Sequence, residues 1–585
     1  MRKDESRQCW LQKVWWQKSL LSTPMGVYWQ GLAPGSDYLS HFSGRPCRSR
    51  VLLLQNRFPS SLLVGYSRRN SQPPLPARVR HMRIVLRHCR VFVFLLLLVC
   101  CASILNAQAQ QSAASAIGSR SAELVRVDLL GLAKDPRLER AHLGLFVKNL
   151  TTGAELLDVN AARLFIPAST MKLFTTAAAI SLLGPAYTYQ TPLLLHGTVE
   201  GGVLRGDLVV RGAGDPSIAG AFHKNDPLAV FESWARALRQ RGVERIEGDL
   251  VGDASLFPGP PLGDGWNWDD ETYWYSAQTG ALAFNESTAD VVVSAEGEPG
   301  APVRWEIGPV PGYLEVVSDA TVGPAGSGST FLAERRRGEN VLEMKGQLPR
   351  GQRARFAVTV EKPAAWFLHA LRHVLAANGV HVEGVSREVR KQEEAREWAT
   401  AAPVAVHTSP SMFSLATHTN RESHNLYAEQ MLMALGAEQR NLGTARAGAE
   451  TVMSWATALG VGRESLVMVD GSGLSRKNLV SPRAMVALLE GMRTSSVFQP
   501  FYESLPVAGC HGSLANRMCG TPAENVASAK VGYVTHNICL AGYTRDASGQ
   551  WYAYALFVNN HAGPVRDAKA LQDGIVAALT AAESP

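Results

Sequence analysis

The sequence predicts an α+β chain: an antiparallel sheet assembled from two hairpins far apart in sequence, a helical lobe facing it, and a large domain inserted between. Three observations carry that reading. Alternating hairpin patterns stand near residue 150 and near the C-terminus, and helix-patterned segments crowd residues 423–492. Between the first two of three short Ser/Lys motifs lie roughly 250 residues, far more than one lobe with short connections needs.

Residues 1–81 do not share the character of the rest. They are rich in Arg, Trp, Ser and Pro, lack sustained periodicity, and hold three acids (Asp4, Glu5, Asp37) against thirteen Lys plus Arg. From Met82 the pattern changes: Arg83, Arg87 and Arg90 precede an apolar stretch over 91–105, and Ala107-Gln108-Ala109 forms a small-x-small cleavage signal. Residues 82–109 therefore read as a signal peptide. Translation is expected to start at Met82, with residues 1–81 an upstream extension to which no function is assigned. The apolar run is shorter than a membrane span requires. Export to the periplasm is the expectation, and peripheral membrane association is left open.

Removing this leader reverses the charge argument. The 585 residues carry a formal +7, but residues 1–109 hold sixteen Lys plus Arg against three acids, a net of +13, so the remainder stands at −6. Nothing then argues for a nucleic-acid partner. Of eight cysteines, Cys510, Cys519 and Cys539 lie beyond the leader. They allow one bridge, with Cys510 and Cys519 closest in sequence, or three separate thiols. No Cys/His cluster has zinc-ligand spacing, so neither a metal nor a cofactor is expected.

Along the chain, 144–148 and 154–159 alternate around Thr151-Thr152-Gly153 as a first hairpin. Phe165-Ile166-Pro167-Ala168 is an extended arrival at an almost wholly buried helix over 170–183, with Ser169 at its N-terminus. The inserted domain is expected over 190–403, leaving 110–189 and 404–585 as the two parts of the main domain. Strands are expected at 204–212 and 246–251, a helix at 366–377 closed by Asn378-Gly379, and a charged connector at 388–400. Helices at 423–436, 444–459 and 481–492, the last with Ser481 as cap and Pro482 in its first turn, would make the helical lobe. A second hairpin at 538–544 and 551–559 and an amphipathic helix at 565–582 close the chain.

The chemistry sits in Ser169-Thr170-Met171-Lys172, Ser423-His424-Asn425 and Lys530-Val531-Gly532, read as S-x-x-K, S-x-N and K-x-G. A chain of this length should hold about one or two S-x-x-K matches by chance, so order and context carry the weight. Spacing i to i+3 puts Ser169 and Lys172 on one helical face, where an amine can serve as base for the hydroxyl. That requires its pKa to be lowered by burial or a neighbouring cation, and Lys530 is the candidate cation.

With these motifs, the segments Leu208-Val-Val-Arg-Gly-Ala-Gly-Asp-Pro216, Trp266-Asn-Trp-Asp-Asp270, Ser423-His-Asn-Leu-Tyr-Ala-Glu429, Asp470-Gly-Ser-Gly-Leu-Ser475 and Leu505-Pro-Val-Ala-Gly509 make the chain resemble a known family. It is the D-alanyl-D-alanine carboxypeptidase and endopeptidase family with a large insertion, the class C low-molecular-mass penicillin-binding proteins. The resemblance runs from about residue 143 to the C-terminus and implies a penicillin-binding/β-lactamase-like fold. It implies a serine DD-peptidase acting on peptidoglycan stem peptides or cross-links, with β-lactam antibiotics as inhibitors. Ser169 would be the nucleophile, Lys172 the base and Ser423 a proton relay. Asn425 would hold the substrate amide and Lys172, and Lys530 would supply positive charge. Backbone N–H groups of Ser169 and Tyr533 would form the oxyanion hole, Val531 and Gly532 would line the substrate site, and Asp270 would meet the amino group of a diaminopimelate side chain or serve as a turn residue.

Two departures from the family pattern stand out. Val531 replaces the usual Thr, and losing that hydroxyl removes one charge-assisted hydrogen bond, about 1.5 to 3 kcal/mol. His511 stands where Asp is common, and His424 where Asp or Asn is; both read as local surface histidines. The alternatives are a catalytically impaired scaffold protein of the cell wall or a β-lactamase. Oligomeric state is not legible.

Overall fold

The computed structural model describes residues 126–582. The extension 1–81, the signal peptide 82–109 and residues 110–125 lie outside the described residues. Among the described residues no helix is long and apolar enough to cross a membrane.

The two distant hairpins meet in one five-stranded antiparallel sheet. Its order is Glu155–Val159, His142–Asn149, Trp551–Asn559, Asn537–Arg545, Ser528–Val534. The first hairpin turns because Asn149 Oδ1 accepts the N–H groups of Thr151 and Thr152 at 2.9 and 3.0 Å, and Gly153 takes φ 79°. Both faces are covered. Tyr543 donates its hydroxyl to the Leu489 carbonyl at 2.7 Å, whereas the next residue, Thr544, meets Thr580 at 2.6 Å. Successive strand residues point to opposite faces, so helices Pro482–Arg493 and Val565–Ala581 sandwich the sheet. This corrects the expectation that 481–492 belongs to the helical lobe: its apolar stripe of Met485, Leu488, Leu489 and Met492 is buried against strands.

The lobe is made by Lys172–Leu182, Met412–Glu422, Asn425–Arg440 and Ala445–Ala458. Every residue from Asn425 to Gly436 is buried, the signature of a helix surrounded on all sides. Met412–Glu422 was not legible in the sequence because Thr417, His418, Thr419 and Asn420 interrupt its apolar pattern.

Between the sheet and these lobe helices the chain leaves along Gln190–Glu200 and returns along Ala402–Thr408, antiparallel, with Gln190 opposite Thr408. These strands join Val203–Arg211, Arg245–Ile246, Leu250–Asp253, His381–Val382 and Ser386–Val389 in a seven-stranded sheet. Helices Ala229–Gln240 and Pro363–Ala377 pack against it and each other, with the Phe231 and Phe367 rings 4.8 Å apart. The expected charged connector at 388–400 is instead partly structured: it contains the end of strand Ser386–Val389 and helix Gln392–Ala395, and Trp398 is buried against Leu194, Val209, Val251 and Val389. One large apolar residue outweighs the surrounding charges.

Cys539 is a buried thiol whose Sγ lies 3.4 Å from the Ile166 carbonyl, and Cys519 Sγ lies 3.7 Å from the Ala515 carbonyl.

Candidate active site

The approach to Ser169 is tighter than a plain helix start. Residues Ala168–Met171 form a 3₁₀ turn and the α-helix begins at Lys172. Ala168 adopts φ 46°, a left-handed conformation costing a non-glycine residue roughly 1–2 kcal/mol. Ser423 is left-handed too, at φ 60°, ending one lobe helix just before the next begins at Asn425. The sequence placed Ser423 inside that second helix; its position in the turn aims the hydroxyl out of the lobe.

The structure brings all three motifs together. Lys172 Nζ lies 3.0 Å from Ser169 Oγ, 2.6 Å from Asn425 Oδ1 and 2.7 Å from the Ser472 carbonyl. Asn425 donates its Nδ2 to the Tyr275 carbonyl at 2.7 Å, which fixes the amide with its oxygen toward Lys172. Both Asn425 Oδ1 and the Ser472 carbonyl only accept, so they claim two N–H groups of the amine. The third direction, toward Ser169, holds an N–H when Lys172 is charged and the lone pair when it is neutral.

Lys172 is fully buried while Ser169 is partly exposed. Burial pushes the amine down to about 7, against the opposing pull of Asp470 and Glu429. Burial, rather than the expected second cation Lys530, is therefore the cause. Lys530 is itself buried and held well below 10.5, first by desolvation and then by Lys172. Its Nζ donates to Ser423 Oγ and to the Val531 carbonyl, both at 2.8 Å.

Gly532 sets how closely the third strand approaches. A Cβ there would lie 2.7 Å from the Pro167 carbonyl oxygen and 3.1 Å from the Ser169 nitrogen, so only glycine lets the strand lie against the nucleophile's turn. Val531, partly buried, and Tyr533, 53% exposed, flank it.

The role of the Asp470 loop carries no motif-level signal in the sequence. Glu429 accepts the N–H groups of Gly471 and Ser472 at 3.0 and 2.8 Å, which positions the Ser472 carbonyl under Lys172. Asp470 accepts from Gly473 at 2.8 Å, Ser475 at 2.7 Å and Trp266 Nε1 at 2.9 Å. Burial and then Asp470 push Glu429 up to about 7. Trp266 and Tyr275 come from the 190–403 segment, as does Gly280, whose carbonyl accepts from Gln430 at 2.7 Å. That segment thus helps build the site. Asp270 stands beside this seam and accepts the Tyr275 hydroxyl at 2.8 Å. Asp215 is a buried turn residue, accepting from the Ser217 N–H at 2.8 Å.

The two departure histidines are not surface residues. His424 is 5% exposed, with Nε2 2.9 Å from Glu286 Oε2 and its ring against Trp274, His418 and Tyr427. His511 is half-buried, and burial followed by Arg421 pushes it down to about 4.

The geometry agrees with what comparison finds. Residues 125–582 match the model of the D-Ala-D-Ala carboxypeptidase 3 (S13) family. A D-alanyl-D-alanine carboxypeptidase from an Actinomadura species is 34% identical over 483 residues, covering 80% of this chain and 87% of the relative. The D-alanyl-D-alanine carboxypeptidase DacB of Haemophilus influenzae is 26% identical over 431 residues, covering 72% and 86%. The crystal structure of penicillin binding protein 4 from Haemophilus influenzae superposes with a TM-score of 0.68 at 25% identity, covering 76% of this chain and 97% of that one. With the family model spanning the whole described region, this chain belongs to the D-Ala-D-Ala carboxypeptidase 3 (S13) family.

Proposed function

We propose that this chain is a serine D-Ala-D-Ala carboxypeptidase and DD-endopeptidase acting on peptidoglycan peptides, exported to the periplasm and acylated by β-lactams. The observation that carries the reading is the buried Lys172 amine, pinned by two carbonyl acceptors with its remaining direction on Ser169 Oγ. Ser169 Oγ attacks the carbonyl carbon of the penultimate D-alanine while Lys172 takes its proton. The oxyanion that forms is met by the backbone N–H groups of Ser169 and Tyr533. As the C–N bond breaks, a proton reaches the leaving amine through Ser423, beside the Lys530 ammonium, and water then releases the acyl group. Gly532 admits the substrate strand, Val531 flanks the terminal carboxylate, and Asp270 receives a diaminopimelate amino group. In this reading residues 190–403 act as an inserted domain whose Trp266–Tyr275 stretch completes the site, with 110–189 and 404–585 as the peptidase body.

Val531 supports a second reading, a penicillin-binding-fold protein that has lost turnover. Mass spectrometry of the purified chain with labelled penicillin separates the two. A Ser169 adduct, together with D-alanine release from a pentapeptide, is expected; an unmodified Ser169 would establish the silent scaffold.

A further inference from the structure

Beside the second motif, two histidines and a glutamate converge from three separate elements. Glu286 comes from the turn Asn285–Ser287 of the 190–403 segment, His418 from helix Met412–Glu422, and His424 from the residue between Ser423 and Asn425. One ligand atom of each lies within 4.8 Å of the others. Among the described residues, Nε2 of His418 is buried without a hydrogen-bond partner, and Nε2 of His424 faces the Glu286 carboxylate at 2.9 Å. Residues 285, 286 and 287 are consecutively left-handed, at φ 45°, 58° and 57°, and this conformation delivers the Glu286 carboxylate to the histidines. Aromatic rings flank the pair: Trp274, Phe222 and Tyr427 pack against the two imidazoles.

We infer that Glu286, His418 and His424 form a binding site for one divalent transition-metal ion of the zinc class. Two imidazoles and one carboxylate are the donor set such an ion takes, with a fourth position left for water. Donors about 2.0–2.2 Å from a tetrahedral ion stand roughly 3.3–3.6 Å from one another. The Glu286–His424 pair, at 2.9 Å, is closer than that, and all three donor atoms lie within 4.8 Å of one another, so binding an ion requires the side chains to adjust. The Glu286 side chain is 28% exposed, which leaves a route of entry from its side. Carboxylate and imidazole nitrogen suit zinc better than magnesium or calcium, which favour all-oxygen shells. The ion is a staple. It ties the 190–403 segment to the lobe at the turn that presents Ser423 and Asn425, and it takes no part in bond making.

The test is metal binding by the full chain, independent of any hydrolytic assay. The metal-stripped protein should bind one equivalent of Zn²⁺ in equilibrium dialysis, and Co²⁺ in its place should give the visible absorption of a low-coordinate site. Zn²⁺ should raise Tm. His418→Gln and Glu286→Gln should each weaken binding at least tenfold and abolish the Tm shift. His407→Gln, altering the separate His407–Asp215 contact at 3.2 Å, should leave both unchanged. Binding well below one equivalent, or full affinity in both His418→Gln and Glu286→Gln, overturns the site. So does loss of binding in His407→Gln alone. X-ray absorption of the zinc-loaded wild-type chain needs no variant to fold: two imidazoles in the first shell are expected, and fewer than two contradict the assignment.

Discussion

The corner around Lys172 and the corner around Lys530 contain the same chemistry arranged to different ends. Both lysines are fully buried and both touch a motif serine. Lys172 is gripped by two carbonyl oxygens belonging to other elements, which are themselves held by Glu429 and by the Tyr275 carbonyl. Lys530 has Ser423 and the carbonyl of its own neighbour Val531. The first corner dictates which way a lone pair points; the second delivers charge along a strand. A base needs orientation more than a counter-charge does, and the density of supporting contacts follows that need.

The largest effect should come from breaking the first corner. Lys172→Met removes the base and should lower penicillin acylation by about 10²–10⁴-fold, measured by stopped-flow with a fluorescent penicillin, with folding intact by circular dichroism. A smaller loss is expected from Gly532→Val, whose side chain would collide with the Pro167 carbonyl and the Ser169 nitrogen. Acylation should fall roughly 10–100-fold and Tm should drop, the outcome expected of about 1–3 kcal/mol of overpacking. Val531→Thr tests the second corner in the opposite direction. Restoring a donor near the substrate carboxylate should raise carboxypeptidase turnover by about tenfold or more, and an unchanged or lower rate would contradict the role given to this position. The mildest change is Trp266→Phe, which removes one hydrogen bond to Asp470 and should cost about 1 kcal/mol in urea denaturation while leaving acylation within a few-fold of wild type.

Much of the first corner was legible because Ser169 and Lys172 are neighbours on one helical turn, and the hairpins were legible because their period and turn residues agree. The rest involves groups that carry no side-chain signature. Ser472 and Tyr275 act through backbone carbonyls, and which peptide unit ends up under Lys172 depends on the fold of two distant loops. Burial of His424 was hidden for a related reason: its partners Glu286 and Trp274 come from far up the chain. Trp398 shows the converse error, in which a charged stretch masked the large apolar side chain that docks it.

The central claim is that burial makes Lys172 a neutral base near pH 7. Its neutral fraction grows as pH rises through about 7, so the rate constant for Ser169 acylation by penicillin should climb about tenfold between pH 6 and pH 8. A pH profile of acylation with its rising midpoint near 7 is the result this account predicts. A rate that is flat from pH 6 to 8, or that rises only toward pH 10, would contradict it.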